Sequence, residues 1–213
     1  MGDSRAGYEV ARAERADLAA AVEALGAAFA ADPLISFLFD SAGERRDECA
    51  CEFFRLLMSA RLGCSMPVLV AREGARIVGA VMGYDTSRPG WPEPLKERWK
   101  RLMAGVPGVV ERLGSYEGLA DRHMPAEPHY YLGILGVAPA EQGRGIGGAL
   151  IASFCALSAA DPRSTGVYLE TASPVNLPLY RRGGFAVTGE GPLATATLWC
   201  MFPREARAVN ALP

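Results

Sequence analysis

Gln142-Gly143-Arg144-Gly145-Ile146-Gly147-Gly148 is the stretch that decides the fold, because of what stands on either side of it. Upstream, an apolar run from Tyr130 to Ala138 lies between Pro128 and Pro139 and reads as a buried strand. Downstream, Ile146, Ala149, Leu150, Phe154 and Leu157 recur at helical spacing, and Pro162 closes the segment. The glycines therefore open a helix directly after a strand and a short turn. A helix start presents unpaired N–H groups and the positive end of its dipole, which together suit an anionic phosphate. Gly147 and Gly148 each weaken such a helix by about 1 kcal/mol relative to alanine. Bare backbone must be required there, and a diphosphate lying on the first turn is such a requirement. A glycine-rich turn alone is weak evidence, since most are simply turns. A P-loop is excluded by the missing Lys-Ser or Lys-Thr. A dinucleotide fingerprint on Gly143, Gly145 and Gly148 wants an acidic residue ending the next strand, whereas Asp161 ends the helix.

The rest of the chain sets bounds. Its 213 residues, 50% hydrophobic, suit one domain over 1–213 with a sizeable core. A formal charge of −2 and a pI near 5.8 argue against nucleic acid as a main partner. Met1 to Tyr8 lacks the apolar core of a secretion signal, and no run approaches the ~20 apolar residues of a membrane span. A cytoplasmic protein with no membrane partner is expected. Five cysteines (Cys49, Cys51, Cys64, Cys155, Cys200) without a Cys-x-x-Cys, and only two histidines, make a metal site improbable. Reduced, mostly buried thiols are the plainer expectation.

Periodicity gives the order of elements. Glu9 to Arg12 reads as a short strand, and Ala13 to Ala31 as a helix ending before Asp32-Pro33. Arg45 to Leu62 reads as a second helix with Phe53, Phe54, Leu57 and Met58 as its apolar stripe. Pro67 to Arg72 and Arg76 to Tyr84 form a hairpin around Glu73-Gly74-Ala75. Residues 86–127 are an inserted, partly helical excursion. After the glycine helix come a strand at Val167 to Thr171, a short helix near Leu177 to Arg182, and strands near Phe185 to Thr188 and Thr195 to Phe202. The predicted class is mixed α/β around a largely antiparallel sheet, with the glycine helix crossing over to a parallel neighbour.

Several segments now agree in order and spacing with one family. Leu135-Gly136-Val137-Ala138-Pro139 followed by Gln142-x-x-Gly145-x-Gly147 resembles the acetyl-CoA signature of the GCN5-related N-acetyltransferases. Leu169-Glu170-Thr171, Asn176 and Tyr180-Arg181-Arg182-Gly183-Gly184-Phe185 resemble the following strand, asparagine and Tyr-x-x-x-Gly-Phe segment of that family. The match spans about residues 129 to 202, and the wording from 169 to 180 is similar to puromycin N-acetyltransferase-like members. The resemblance implies an acyl-CoA N-acyltransferase fold and acetyl transfer from acetyl-CoA to a primary amine of a small, antibiotic-like molecule. A peptide α-amine and a non-catalytic acetyl-CoA sensor stay open as alternatives, as does a homodimer.

By the same resemblance, Leu135, Gly136 and Val137 flank the pantetheine arm, and the amides from Gln142 through Gly143, Arg144, Gly145, Ile146, Gly147 and Gly148 hold the diphosphate. Arg144 either supplies charge to it or is a solvated arginine at a helix start. Gly133 and Gly136 suggest a bulge or close approach within the strand. Asn176 fits both an N-cap and a contact to the CoA arm. Tyr180 matches the family tyrosine that protonates the departing thiolate, plausible for a phenol near pKa 10 and a thiol near 8.5. Many relatives carry a glutamate on the strand before the glycine turn; here that place reads His129-Tyr130-Tyr131-Leu132. Glu170, a charge in an apolar strand, is the leading base. Its alternative is a buried carboxylate tied to backbone donors or an arginine. His129, Tyr130, Tyr131 and Asp32 are lesser candidates. Residues 27–40 and 86–127 should shape the acceptor site, where Phe29, Phe37, Phe39 and Trp91 are either pocket lining or core.

Overall fold

A computed structural model describes residues 7–203. Seven strands form one sheet in the order β1-β2-β3-β4-β5-β7-β6. They run Glu9–Arg12 (β1), Val68–Glu73 (β2), Arg76–Tyr84 (β3), Tyr130–Val137 (β4), Val167–Thr171 (β5), Phe185–Leu193 (β6) and Ala196–Pro203 (β7). Every neighbouring pair is antiparallel except β4 and β5, which are parallel. The helix between those two, Ile146–Ala160, is the crossover that a parallel pair demands. This is the mixed α/β architecture, a mostly antiparallel sheet flanked by helices, that the sequence predicts.

Both faces of the sheet are covered, which explains the near-continuous apolar strands. Val68 and Val70 of β2 face a core shared with helices α1 (Leu18–Ala28) and α3 (Arg46–Gly63). Their alternates Leu69 and Ala71 face Leu150 and Phe154 of the crossover helix. Between β3 and β4 the chain makes two helices, α4 (Glu93–Ala104) and α5 (Val109–Asp121). Leu102, Met103, Val106 and Val109 join the first core, while Leu119 and Ala120 pack on Tyr168, Leu198 and Cys200 at the other end of the sheet. The excursion is therefore a built wall joining the helical layer to the far strands.

Three boundaries differ from expectation. Asp32-Pro33 ends the first helix and also starts another, α2 (Pro33–Phe39): Asp32 Oδ1 accepts from the amides of Leu34 at 2.9 Å and Ile35 at 3.1 Å. An aspartate N-cap with proline at the first position is a helix start. The strand β6 runs past Thr188 through Gly189-Glu190-Gly191-Pro192, which reads as a turn. It is the edge strand, where proline costs no ladder bond. At Gly191 a Cβ would lie 2.5 Å from Leu119, so glycine there admits α5. The first helix is shorter than expected, preceded by a 3-10 turn at Arg15–Asp17. Among the described residues no single helix is long and apolar enough to cross a membrane, and the five cysteines are unpaired.

Candidate active site

The site opens where two parallel strands part. β4 pairs with β5 only at Tyr130, Tyr131 and Leu132, then continues alongside β3 alone. The parting follows a bulge. Register passes from Met82↔Ile134 to Gly83↔Leu132, leaving Gly133 unpaired. Gly136 is the close approach: a Cβ there would lie 2.8–3.1 Å from side-chain atoms of Leu25, Ala28 and Phe29. Each strand glycine thus has one of the two roles expected for them.

On the freed edge of β4 lies a cleft of about 250 Å³ lined by Leu135, Gly136, Val137, Gln142, Gly143, Gly145, Ile146 and Gly147, with Asn176, Leu179 and Tyr180 opposite. Gly143 and Gly145 hold φ of 79° and 83°, conformations that favour glycine. The crossover helix, α6, begins at Ile146, and its first backbone bond runs from Ala149 N–H to Gly145 C=O at 3.0 Å. The amides of Ile146, Gly147 and Gly148 therefore lack a helical acceptor. A Cβ at Gly147 would make only ordinary contacts, 3.5 Å to Leu179 and 3.9 Å to Val137, and one at Gly148 would meet open space. Nothing in the chain's own packing demands glycine there, so a bare helix start fits an external diphosphate.

Two residues of this loop act within the protein. Gln142 donates from Nε2 to the Val137 carbonyl at 3.0 Å, tying the loop to the end of β4. Arg144 pairs with Glu73 at 2.7 Å and with Glu141, which also holds Arg76 at 2.9 Å. The two arginines pull the Glu141 carboxyl below its usual range. Arg144 and Gly148 are not among the residues lining the cleft; Arg144 offsets a carboxylate beside the helix start. Asn176 occupies the N-cap position of α7 (Leu177–Arg182), yet its side chain makes no capping bond and lines the cleft.

A second hollow, about 410 Å³, lies against the first. Phe29, Asp32, Leu135, Asn176 and Tyr180 line both. Its walls are aromatic: Phe53 from α3, Tyr84 from β3, Trp91 and Trp99 from the excursion, Tyr116 from α5, and Tyr131 from β4. Phe29 and Trp91 are thus lining, whereas Phe39 is fully buried core and Phe37 packs between two core clusters. Glu170 of β5 also faces this hollow. Its Oε2 accepts from Tyr116 Oη at 3.3 Å, and Tyr116 Oη lies 3.1 Å from Tyr131 Oη. Its Oε1 is buried with no partner among the described residues. Burial pushes the carboxyl up to about 7, only partly opposed by the phenols of Tyr131, Tyr116 and Tyr168. Among the described residues no backbone donor or arginine bonds it, and the charge of Arg88 is the weakest of the influences opposing the upward push.

Tyr180 stands at the junction of the two hollows, 5% exposed, its ring edge-on to Phe185 at 6.2 Å. Burial, then the charges of Asp32 and Glu170, raise its phenol above the ordinary tyrosine value, which keeps it protonated. Asp32 has one oxygen committed to capping α2, and burial raises its carboxyl. His129 lies outside both hollows, held by the Glu127 carbonyl and Arg88, with burial lowering its imidazole. Tyr130 packs on Phe154 on the opposite face. Sequence reasoning missed Arg61, Tyr84 and Tyr116. For Arg61 a signal existed: Phe54, Met58 and Arg61 fall at i, i+4 and i+7 on the buried face of α3.

The model of the acetyltransferase (GNAT) family matches residues 38–185, well over half of the chain. The chain belongs to the GNAT acetyltransferase family. Among solved structures, this GNAT protein is similar to a Corynebacterium glutamicum protein described as histone acetyltransferase HPA2 and related acetyltransferase. The TM-score is 0.69 at 24% identity, over 98% of this chain and 99% of that one. It is similar also to the polyamine N-acetyltransferase of Drosophila melanogaster (TM-score 0.61, 21% identity, 92% and 98% covered). A third is the ribosomal-protein-alanine N-acetyltransferase of Brucella melitensis (TM-score 0.56, 19% identity, 91% and 97% covered). At these identities the likeness is one of fold. A polyamine and a protein alanine as acceptors on one GNAT fold show that the fold does not choose the amine.

Proposed function

We propose that this GNAT protein is an acetyl-CoA-dependent N-acetyltransferase acting on a primary amine of a small molecule. The observation that carries the reading is the meeting of two different hollows at Tyr180. One has a bare helix start and a free strand edge; the other has aromatic walls and a buried carboxylate. Acetyl-CoA supplies an activated thioester carbonyl. The amides of Ile146, Gly147 and Gly148 suit its diphosphate, and the unpaired edge of Leu135–Val137 suits the amide-bearing pantetheine arm. Their fit rests on the room for a side chain that the chain leaves at Gly147 and Gly148, and on β5 pairing with β4 no further than Leu132.

The chain's own groups cover the proton movements. Glu170, titrating near 7, takes a proton from the acceptor's ammonium before attack, or from the neutral amine's nitrogen as the N–C bond forms, directly or through Tyr116. As the N–C bond forms and the C–S bond breaks, Tyr180 offers its O–H to the departing sulfur. Its raised phenol stays protonated through neutral pH, so that hydrogen is in place when the bond breaks, and the phenol regains any proton it gives from the product thiol or solvent. The aromatic hollow of about 410 Å³ favours a compact amine. Free thiol release measured with acetyl-CoA and a panel of amino acids, polyamines, aminonucleosides and short peptides tests the proposal. Turnover confined to short peptides would replace the small amine with a peptide terminus. Acetyl-CoA binding without turnover of any amine would favour a sensor.

A further inference from the structure

Arg61 is a charge buried in the acceptor cavity without a counter-ion among the described residues. It is 3% exposed and lines the cavity. One terminal nitrogen, Nη1, donates to the Leu57 carbonyl of its own helix at 3.1 Å, and the guanidinium carbon lies 4.5 Å from the Tyr84 ring centre. Its Nε has no partner among the described residues. The neighbours that bear on its charge are phenols, Tyr84, Tyr131 and Tyr116, rather than any carboxylate. Leucine or methionine would suit this place on α3 as well in helix propensity and far better in burial. A buried cation kept with an unpartnered donor is a ligand contact waiting for its anion.

The charges around the cavity sharpen the point. Besides Arg61, the charged residues lining it are Asp32, Glu117, Asp121 and Glu170, all acidic. Such a cavity welcomes an ammonium at most places and an anion at one. The Nε–Nη2 edge of a guanidinium matches the two coplanar oxygens of a carboxylate, and in Arg61 the Nε of that edge is buried and unpartnered among the described residues. A phosphate dianion would face four acidic side chains with one cation to offset them. We propose that the acceptor is an amino carboxylate, a small molecule whose amine lies toward Glu170 and Tyr180 and whose carboxylate pairs with Arg61. This rests on the acetyl-transfer reading above.

The test compares matched acceptors. Steady-state kcat/KM is measured for phenylalanine, β-phenylalanine and 4-aminobutyrate, each against its carboxamide and its decarboxylated amine. The wild type is compared with Arg61→Met, and acetyl-CoA affinity is followed separately by calorimetry. The carboxylate form should be preferred by roughly ten- to a hundredfold, the worth of a hydrogen bond to a charged group. That ratio should collapse toward one in Arg61→Met, chiefly through KM. Equal use of carboxylate and carboxamide by the wild type overturns the proposal, as does a preference that survives Arg61→Met or turnover of plain amines alone. Should Arg61→Met fail to fold, wild-type affinity for the N-acetylated products against their amides decides it, with equal affinity refuting Arg61 as a carboxylate reader. Intact acetyl-CoA binding with no carboxylate preference separates this failure from failure of the underlying reading, in which acetyl-CoA does not bind.

Discussion

Replacing Glu170 with glutamine tests the chemistry and the electrostatics of the site independently. In the folded protein this carboxyl titrates near 7, against 4.5 for an ordinary glutamate, because burial outweighs the phenols around it. A group whose folded value is raised binds more protons in the native state than in the unfolded chain between the two values. The wild type therefore has its full share of stability below pH 4.5 and loses it as pH rises toward 7. The loss is about 3 kcal/mol, from the difference between the two values at about 1.4 kcal/mol for each pH unit. Glu170→Gln removes the titration while keeping shape and an acceptor for Tyr116. Urea unfolding should find the variant close to wild type at pH 4.5 and more stable by up to about 3 kcal/mol at pH 8. Activity should move the opposite way. If Glu170 takes the amine proton, kcat/KM falls roughly 10²–10⁴-fold in the variant. The limb rising through about pH 7 disappears as well, leaving only the titration of the acceptor amine. An acceptor whose own ammonium titrates well away from 7 keeps the two limbs apart. A stability gain with unchanged kcat/KM and an unchanged limb would make Glu170 a wall residue. No difference in the pH dependence of stability would refute the buried, poorly partnered carboxylate itself.

The remaining expectations are narrower. Gly147→Val should abolish acetyl-CoA binding by calorimetry while the domain stays folded, since its Cβ meets only ordinary contacts within the chain. Gly145→Val should also lose binding but cost roughly 1–2 kcal/mol of stability, because φ is 83° there; unchanged affinity in a folded Gly147→Val would assign these glycines to packing. Tyr180→Phe should lower kcat roughly ten- to a thousandfold with little change in acetyl-CoA affinity. Any alkaline limb due to the phenol should lie above the usual tyrosine range, and wild-type kcat in the variant would leave Tyr180 a packing residue. Cutting out residues 87–127 for a Gly-Ser turn should fail to give a cooperatively folded protein, as it strips Leu102, Val106, Val109 and Leu119 from two cores. A folded deletion variant by thermal melting would show that the excursion is a detachable lid.

What could be read from sequence, and what could not, divides along the same line as the two hollows. The cleft at the glycine helix is built mostly from residues 135–180, and its signals are local: an apolar run between prolines, glycines at a helix start, an asparagine before Leu-Pro. Local patterns fixed β4, β5 and α7 to within a residue. What the local patterns left open there was side-chain direction. Arg144 turns to Glu73 across the hairpin, and Asn176 sits at an N-cap without capping, because neighbours distant in sequence decide both.

The aromatic hollow draws on α2, α3, β3, the excursion, β4 and β5, so no window of sequence contains it. Glu170 stood out alone because one charge in a five-residue buried strand is anomalous whatever surrounds it. Arg61 is equally anomalous on the face of Phe54 and Met58, but a helix tolerates an arginine on nearly any face until its neighbours are known. The tertiary fold brings this lone guanidinium and the poorly partnered carboxylate into one aromatic cavity, and Tyr180 links that cavity to the cleft of the glycine helix. The shared fold supports acetyl transfer from the glycine side. The choice of amine then rests on residues whose meaning exists only in three dimensions, and Arg61 is a cation there with no carboxylate paired to it among the described residues.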